Sequence, residues 1–142
     1  MASDAETKIA EALYRHLAAL VLVPALKIAW TNMDFRGAAK VGHLRVSLIR
    51  ATAEGATIPF DGHIRHSGIF QVDVMWPQGA GPIGALRRAD AIREHFARGT
   101  RLVEDDVCVQ INRPPSVGPS LQNPPYLQVP VSVRYEAFIQ GV

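Results

Sequence analysis

The sequence predicts an α+β domain in which two helices pack on one face of a mainly antiparallel sheet. Two stretches place apolar residues three and four positions apart, which is the spacing of one face of a helix. Six other stretches alternate apolar and polar residues, as half-buried strands do. Their order along the chain is α-β-β-β-α-β-β-β, a succession typical of this fold class.

Size and composition are those of one globular domain covering residues 1–142. Apolar residues make up 48% and charged residues 20% of the chain, which suits a folded domain with its own core. The net charge is +2 and the basic residues are scattered, unlike the dense basic patch of a nucleic-acid binder. The acidic start does not resemble a signal peptide, and no apolar run is long enough to span a bilayer. We therefore expect a soluble protein.

The first helix is predicted over residues 4–21. Its apolar stripe consists of Ile9, Leu13, Leu17 and Leu20. Ser3 and Glu6 have the spacing of a capping box, in which each side chain accepts a hydrogen bond from a backbone amide at the helix start. The pair Val23-Pro24 is expected to stop the helix, because a residue that precedes proline is disfavoured in helical conformation.

Three strands are predicted between the two helices. The first covers residues 26–30 and the second covers residues 44–50. The third begins between positions 63 and 68 and ends at Trp76, after a turn at residues 59–62. The second and third strands should form an extended hairpin, whose arm around residues 60–66 projects beyond the core.

The second helix is predicted to open at Pro82 and to end near Phe96, because proline is favoured in the first turn of a helix. Its apolar stripe consists of Ile83, Leu86, Ala89, Ile92 and Phe96. Gly99 stands where a residue in the left-handed conformation would end the helix.

A β-hairpin is predicted next, with strands at residues 100–104 and 107–111 and a turn at Asp105 and Asp106. Its second strand contains Cys108, the only cysteine, which excludes an intrachain disulfide. Because its neighbours are apolar, we interpret this thiol as a small buried hydrophobe.

Residues 113–125 contain five of the ten prolines and predict a long loop that cannot form a regular ladder. Deletion of residues 116–123 should therefore leave the fold intact and impair assembly. Residues 126–138 predict the last strand. Pro130 within it lacks a backbone donor, which favours an edge position or a bulge.

No residue constellation indicates catalysis or a cofactor. His63 and His66 are three positions apart on a predicted strand, so their side chains point to opposite faces and suit one metal ion poorly, even with Asp61 nearby. The turn at residues 79–82 lacks the lysine of a phosphate-binding loop. We expect a protein that is not an enzyme and that has no catalytic, cofactor-binding or metal-binding residues.

The projecting arm, the proline-rich loop and the expected edge strand favour a surface that another subunit covers. A monomer with ordinary loops is the alternative. The interface candidates are Phe60, His63, Ile64, His66, Arg113, Val117, Leu121 and Tyr126.

Several short runs resemble a known family, the tail terminator (tail completion) proteins of tailed bacteriophages. The runs are 7–9 (TKI), 17–20 (LAAL), 71–77 (QVDVMWP), 99–102 (GTRL), 112–117 (NRPPSV) and 127–131 (LQVPV). They extend over most of the chain, and the RPPS and LQVP segments are the most particular of them.

The resemblance implies a structural virion protein, assembled in the host cytoplasm, that forms a homohexameric ring. Such a ring caps the head-proximal end of the tail tube, stops polymerisation of the tube protein and joins the tail to the head connector. Genome DNA would pass through its lumen without specific binding. The family has no catalytic residues to transfer to this chain. Alternatives are another neck protein, such as a head-completion or stopper protein, and, less favoured, a small-molecule enzyme or binding module.

Overall fold

The computed structural model describes residues 4–22, 26–30, 42–51, 54–55 and 63–140. Within them the order is α1 (Ala5–Ala18), β1 (Lys27–Ala29), β2 (His43–Arg50), β3 (Glu54–Gly55), β4 (His63–Pro77), α2 (Ile83–His95), β5 (Arg101–Glu104), β6 (Val107–Gln110), β7 (Ser116–Val117), β8 (Leu121–Asn123) and β9 (Tyr126–Gln140). All these strands join one sheet of order β1-β2-β4-β9-β6-β5, with β3 on β4 and with β7 and β8 on β9. Only the β1–β2 pair is parallel. The predicted α+β class is confirmed.

Two strands of 15 residues each, β4 and β9, form the centre of the sheet. They pair without interruption from His63 opposite Gln140 to Pro77 opposite Tyr126. The predicted hairpin of the second and third strands is also present, because β2 lies antiparallel along the other side of β4. The tip of the predicted arm, residues 56–62, lies outside the described residues.

The core lies between the two helices and one face of this sheet. Alternate residues of β4 and β9 are fully buried there, as the period of two predicts. Each large aliphatic side chain buried in this way contributes on the order of 1.5–3 kcal/mol. The core residues contributed by these elements include Phe70, Val72, Val74, Val129, Val131 and Val133 from the sheet, Ile9, Leu13 and Leu17 from α1, and Ala85, Ala89 and Ile92 from α2.

The buried face of α2 differs from the predicted stripe. Ile83 and Leu86 are 58% and 37% exposed, whereas Ala85 is fully buried. The reason is a close approach to the sheet, because a Cβ atom at Gly84 would lie 2.5 Å from the Trp76 ring. The small residues Gly84 and Ala85 let the helix backbone come close to the sheet, and the larger Ile83 and Leu86 are turned outward.

The start of α1 also differs from the prediction. The N-cap is Asp4, and its side chain makes no capping hydrogen bond. Glu6, expected in a capping box, instead contacts the His66 ring at 2.9 Å. Ser3 lies outside the described residues, and the helix ends at Ala18, three residues before the predicted end.

The β5–β6 hairpin is confirmed, with Arg101 opposite Gln110 and Glu104 opposite Val107. Gly99 has a φ of 95°, but it follows the helix end by several residues and donates a hydrogen bond to the Ile111 carbonyl at 2.7 Å. It therefore opens the hairpin rather than capping α2. Cys108 is only half-buried, since it alternates with core residues and lies on the other face.

The proline-rich segment contributes strands to the sheet, contrary to the prediction of a loop that forms no ladder. The expected edge position of the last strand is also wrong. Two short strands in this segment, β7 and β8, pair with β9, which is therefore central. Pro130 can be accommodated within β9 because the backbone N and O atoms of one strand residue point toward the same neighbouring strand. Its carbonyl accepts a hydrogen bond from the Gly118 amide at 2.8 Å, so its missing donor falls in the interruption between β7 and β8.

A reciprocal histidine contact connects the C-terminal ends of the helices. His16 Nε2 donates to the His95 carbonyl at 2.7 Å, and His95 Nε2 donates to the His16 carbonyl at 2.5 Å. The two rings stack with centroids 3.8 Å apart, and Phe96 meets the His16 ring edge-on. Burial lowers the pKa of His16. The hydrogen bond to the His95 carbonyl opposes this shift in part, and the charge interaction with the His95 ring adds to it.

Acidification should therefore destabilise the fold through His16. Its folded-state pKa lies below the usual value of about 6.5, so below that pH the unfolded chain binds more protons than the folded chain. The melting temperature should fall as the pH drops through 6.5 and should level off once folded His16 is protonated. His16→Phe keeps a stacking ring without the titration, and its melting temperature should vary less between pH 7 and pH 5. A variant curve parallel to the wild-type curve would contradict this assignment.

Gly68 marks another close approach, at the edge of the core. It lies opposite Tyr135, whose side chain is 2% exposed and whose pKa is raised to about 12, first by burial. A Cβ atom at Gly68 would collide with the Ile49 carbonyl oxygen and lie 2.6 Å from the Tyr135 hydroxyl oxygen.

Gly68→Ala should consequently lower the free energy of unfolding by about 2 kcal/mol, because the backbone of β2 must move to admit the methyl group. Urea denaturation followed by fluorescence measures the change. Ser67→Ala, one residue earlier on the other face of the sheet, is the matched control and should change stability by less than about 0.5 kcal/mol. Equal stability of Gly68→Ala and wild type would refute the close approach.

Candidate assembly surfaces

Most of the predicted interface residues lie near opposite ends of the two central strands, whereas Arg113 lies beside the middle of β9. His63 begins β4, and Tyr126 begins β9 opposite Pro77 at the far end. Strands of 15 residues separate these ends by about 45 Å at the usual rise per residue. Phe60 and the side chain of His63 lie outside the described residues. The structure therefore divides the candidates near the strand ends into two groups.

At the first end, His66 connects the sheet to α1. Its Nδ1 atom lies 2.9 Å from Glu6 Oε1, and its side chain is only 15% exposed. Ile64 is half-buried opposite Ile139 and lies on the same, helix-covered face. His66 is therefore largely covered within its own subunit, and its described contact is with α1.

At the other end, Leu121 is the exposed apolar candidate. Its residue is 52% exposed in β8, whereas Val117 in β7 is half-buried and packs against the core. Tyr126 is half-buried, and its ring meets His43 edge-on with centroids 5.0 Å apart. Of these three candidates, only Leu121 presents a largely uncovered apolar side chain.

The sheet face opposite the helices, called here the outer face, carries a polar network that the sequence analysis did not identify. Its centre is Asp73, which is 1% exposed. The carboxylate accepts hydrogen bonds from Gln71 at 2.9 Å, from Gln128 at 3.0 Å and from Arg45 at 3.2 Å. A buried charge is tolerated when it is paired and hydrogen-bonded in this way, and we interpret Asp73 as a structural residue.

A groove on the outer face contains Arg113. It comprises two adjoining hollows of about 250 and 600 Å³. Arg113 and Arg134 line both hollows, and Ile69 forms their shared floor. Further lining side chains include Ile49, Arg50, Arg65 and Glu136 in the first hollow, and Pro114 and Pro115 in the second. We call this surface the arginine groove.

The charges of the arginine groove are unbalanced. Glu136 accepts hydrogen bonds from Arg65 at 2.8 Å and from Asn112 at 2.7 Å, and these bonds, first that of Arg65, hold its pKa below the usual range. Within the described part of the chain, Arg113 and Arg134 have no carboxylate within ion-pair distance. With Arg50 and Arg65, which also line the first hollow, four arginines therefore line a groove that contains one carboxylate.

An acidic surface of opposite character lies at the tip of the β5–β6 hairpin. Lys8 of α1 contacts Asp106 at 2.7 Å, Asp4 at 3.5 Å and Asp105 at 3.8 Å. The hydrogen bond between Lys8 and Asp106 raises the pKa of the lysine and lowers that of the aspartate. The apolar residue Val103 beside this tip is 68% exposed. Among the described side chains of this surface, one cation thus faces three carboxylates.

Together these features define a small α+β protein whose charged and apolar groups lie on surfaces available for contact. Among the residues that the structure describes, no cluster of three or more histidine, cysteine, aspartate or glutamate side chains could hold a metal ion. Neither described helix is long and apolar enough to cross a membrane.

The family follows from comparison with known proteins. A family model described as phage tail terminator protein matches residues 8–135, which is most of the chain. This protein belongs to the phage tail terminator family and is a structural protein of the phage tail, so the family resemblance of its sequence is confirmed. No curated protein matches the sequence.

The solved structure of another protein has a similar fold. It superposes with a TM-score of 0.77 and 26% sequence identity. The match covers 93% of this chain and 94% of that chain, so the two domains agree over nearly their whole length.

Leu121 and Val117 should respond differently to the same substitution. Leu121→Ser should change the free energy of unfolding by less than about 0.5 kcal/mol, since its side chain is exposed. Val117→Ser should lower it by about 1–2 kcal/mol, since that side chain packs against the core. Urea denaturation of both variants provides the measurement. Equal losses would mean that Leu121 also packs within the subunit.

Proposed function

We propose that this protein is the tail terminator that forms a homohexameric ring on the head-proximal end of the tail tube. There it stops polymerisation of the tube protein and offers a docking face to the head connector or stopper protein. The observation that carries the proposal is the family match across residues 8–135. The protein then resides in the neck of the virion after assembly in the host cytoplasm.

The shape of the subunit supports a position between two partners. A ring between tube and connector needs contact residues on two opposite sides. The candidates at the ends of β4 and β9 are separated by the length of these strands, about 45 Å. The exposed Leu121 is our candidate for contact at one of these ends.

Ring closure requires heterologous contacts, in which one surface of a subunit meets a different surface of the next. The described part of the chain carries such unlike surfaces, a basic groove on the sheet and an acidic hairpin tip. The modest net charge of +2 agrees with a lumen through which genome DNA passes without being held, because strong phosphate binding would impede passage.

The test combines the mass of the protein with the length of the tubes. Light scattering should give a mass of about six subunits, either for the free protein or after addition of its tube protein. Electron microscopy of polymerising tube protein should show tubes that stop growing once the terminator is added.

Leu121→Ser is the variant that tests the tube contact, because its fold should be intact. It should cap tubes less efficiently than wild type. A wild-type monomer that ignores tube protein would overturn the proposal. Binding of that monomer to the portal or connector would instead identify a head-side neck protein.

A further inference from the structure

We infer that the β5–β6 hairpin of one subunit docks into the arginine groove of a second copy of this chain. The inference rests on the proposed ring and identifies the two surfaces that would meet in it. Both surfaces are formed by described residues, and their chemistry is complementary in charge and in apolar character.

The groove offers cations above an apolar floor. Arg113 and Arg134 line both hollows and form no ion pair among the described residues, and Ile69, which pairs with Arg134, lines both hollows as well. Ile49 at the rim is 52% exposed. A fitting partner therefore combines carboxylates with a short apolar side chain.

The hairpin tip has this combination. Val103 is 68% exposed, and the side chains of Asp105 and Asp106 are 73% and 55% exposed. In the docked arrangement Val103 covers Ile69, and Asp105 approaches the guanidinium of Arg113. Arginine binds carboxylates through two parallel hydrogen bonds, which fixes the orientation as well as the affinity of such a contact.

The hairpin cannot fill the groove of its own subunit. At its base, Gln110 pairs with Glu136 beside the groove. At its tip, Asp106 contacts Lys8 of α1, and α1 packs on the sheet face opposite the groove. The tip is thus directed toward the helix layer, and a second copy must supply the occupant. Because the two surfaces differ, the contact is heterologous, as ring closure requires.

A nucleic acid fits the groove less well. Its phosphates would satisfy the arginines, but Ile69, Pro114 and Pro115 would then be covered by a charged backbone without an apolar partner. DNA binding is therefore the alternative outcome of the test.

The experiment reverses the charge of each surface separately. Arg113→Glu leaves the acidic hairpin intact, and Asp105→Lys leaves the groove intact. In each variant alone, like charges face each other across the contact. Each variant should therefore need a protein concentration about tenfold or more above that of wild type to assemble, measured by light scattering at low salt. The equimolar mixture should assemble, because each altered surface then meets its opposite charge in an alternating ring.

Fold and specificity need their own controls. Arg87→Glu makes the same charge change on the exposed surface of α2, in the helix layer, and should assemble as wild type does. Asp105 has a φ of 53°, which lysine adopts poorly, so Asp105→Asn provides a neutral variant that keeps the turn. Thermal unfolding of each variant checks the fold, and Asp105→Asn should weaken assembly without lowering the melting temperature.

Each possible outcome of this experiment either supports or overturns the proposed docking. Assembly of both single variants at the wild-type concentration overturns the docking and leaves the proposed ring standing. Loss of assembly that mixing does not restore also overturns it. Weaker binding of a labelled DNA duplex by Arg113→Glu, with assembly unchanged, assigns the groove to nucleic acid instead. A wild-type protein that forms no ring with or without tube protein overturns the proposed function and this inference together.

Discussion

The pairing of β4 with β9 is the constraint on which the rest of the molecule depends. Each of the other described strands attaches directly to this pair or to a neighbour of it, and both helices cover one of its faces. A slip of one residue would turn Asp73 and Arg134 into the core and Val72 out of it. The burial of so many alternate residues therefore fixes the register, and the register in turn fixes which side chains meet on the outer face.

Asp73 adds a second, polar condition on this register. It lies opposite Pro130, with Gln128 two residues along the same strand. Gln128 donates to the buried carboxylate and accepts a hydrogen bond from Asn123 of β8 at 3.2 Å. Desolvation of a carboxylate costs free energy that these bonds and Arg45 offset, so the network adds little net stability. Its effect is to hold β8 against β9 and to order the outer face.

The regular elements were predictable because their signals are local, and the remainder depends on residues distant in sequence. Period-two patterns located β4 and β9, but β7 and β8, with two and three residues, are too short to show a period. The exposed position of Ile83 follows from the approach of Gly84 to Trp76, which no helical spacing encodes. Arg113 was named as a candidate, but the groove around it also needs Arg65 and Arg134 from two strands whose neighbours only the fold determines.

The layered arrangement restricts how such a subunit can associate. The main path of the described sheet ends at β1 and β5, and the short strands β3, β7 and β8 each pair on one side only. Edge-to-edge pairing of copies would extend the sheet without fixing its closure. A hairpin held by side chains in a groove near the sheet centre sets a definite angle between neighbours, which a closed ring needs. Lys8 is compatible with this arrangement, because it reduces repulsion among the carboxylates of the free hairpin tip and leaves Asp105 only distantly paired, at 3.8 Å. A carboxylate in that position can gain an arginine partner from the next subunit without breaking a short ion pair in its own.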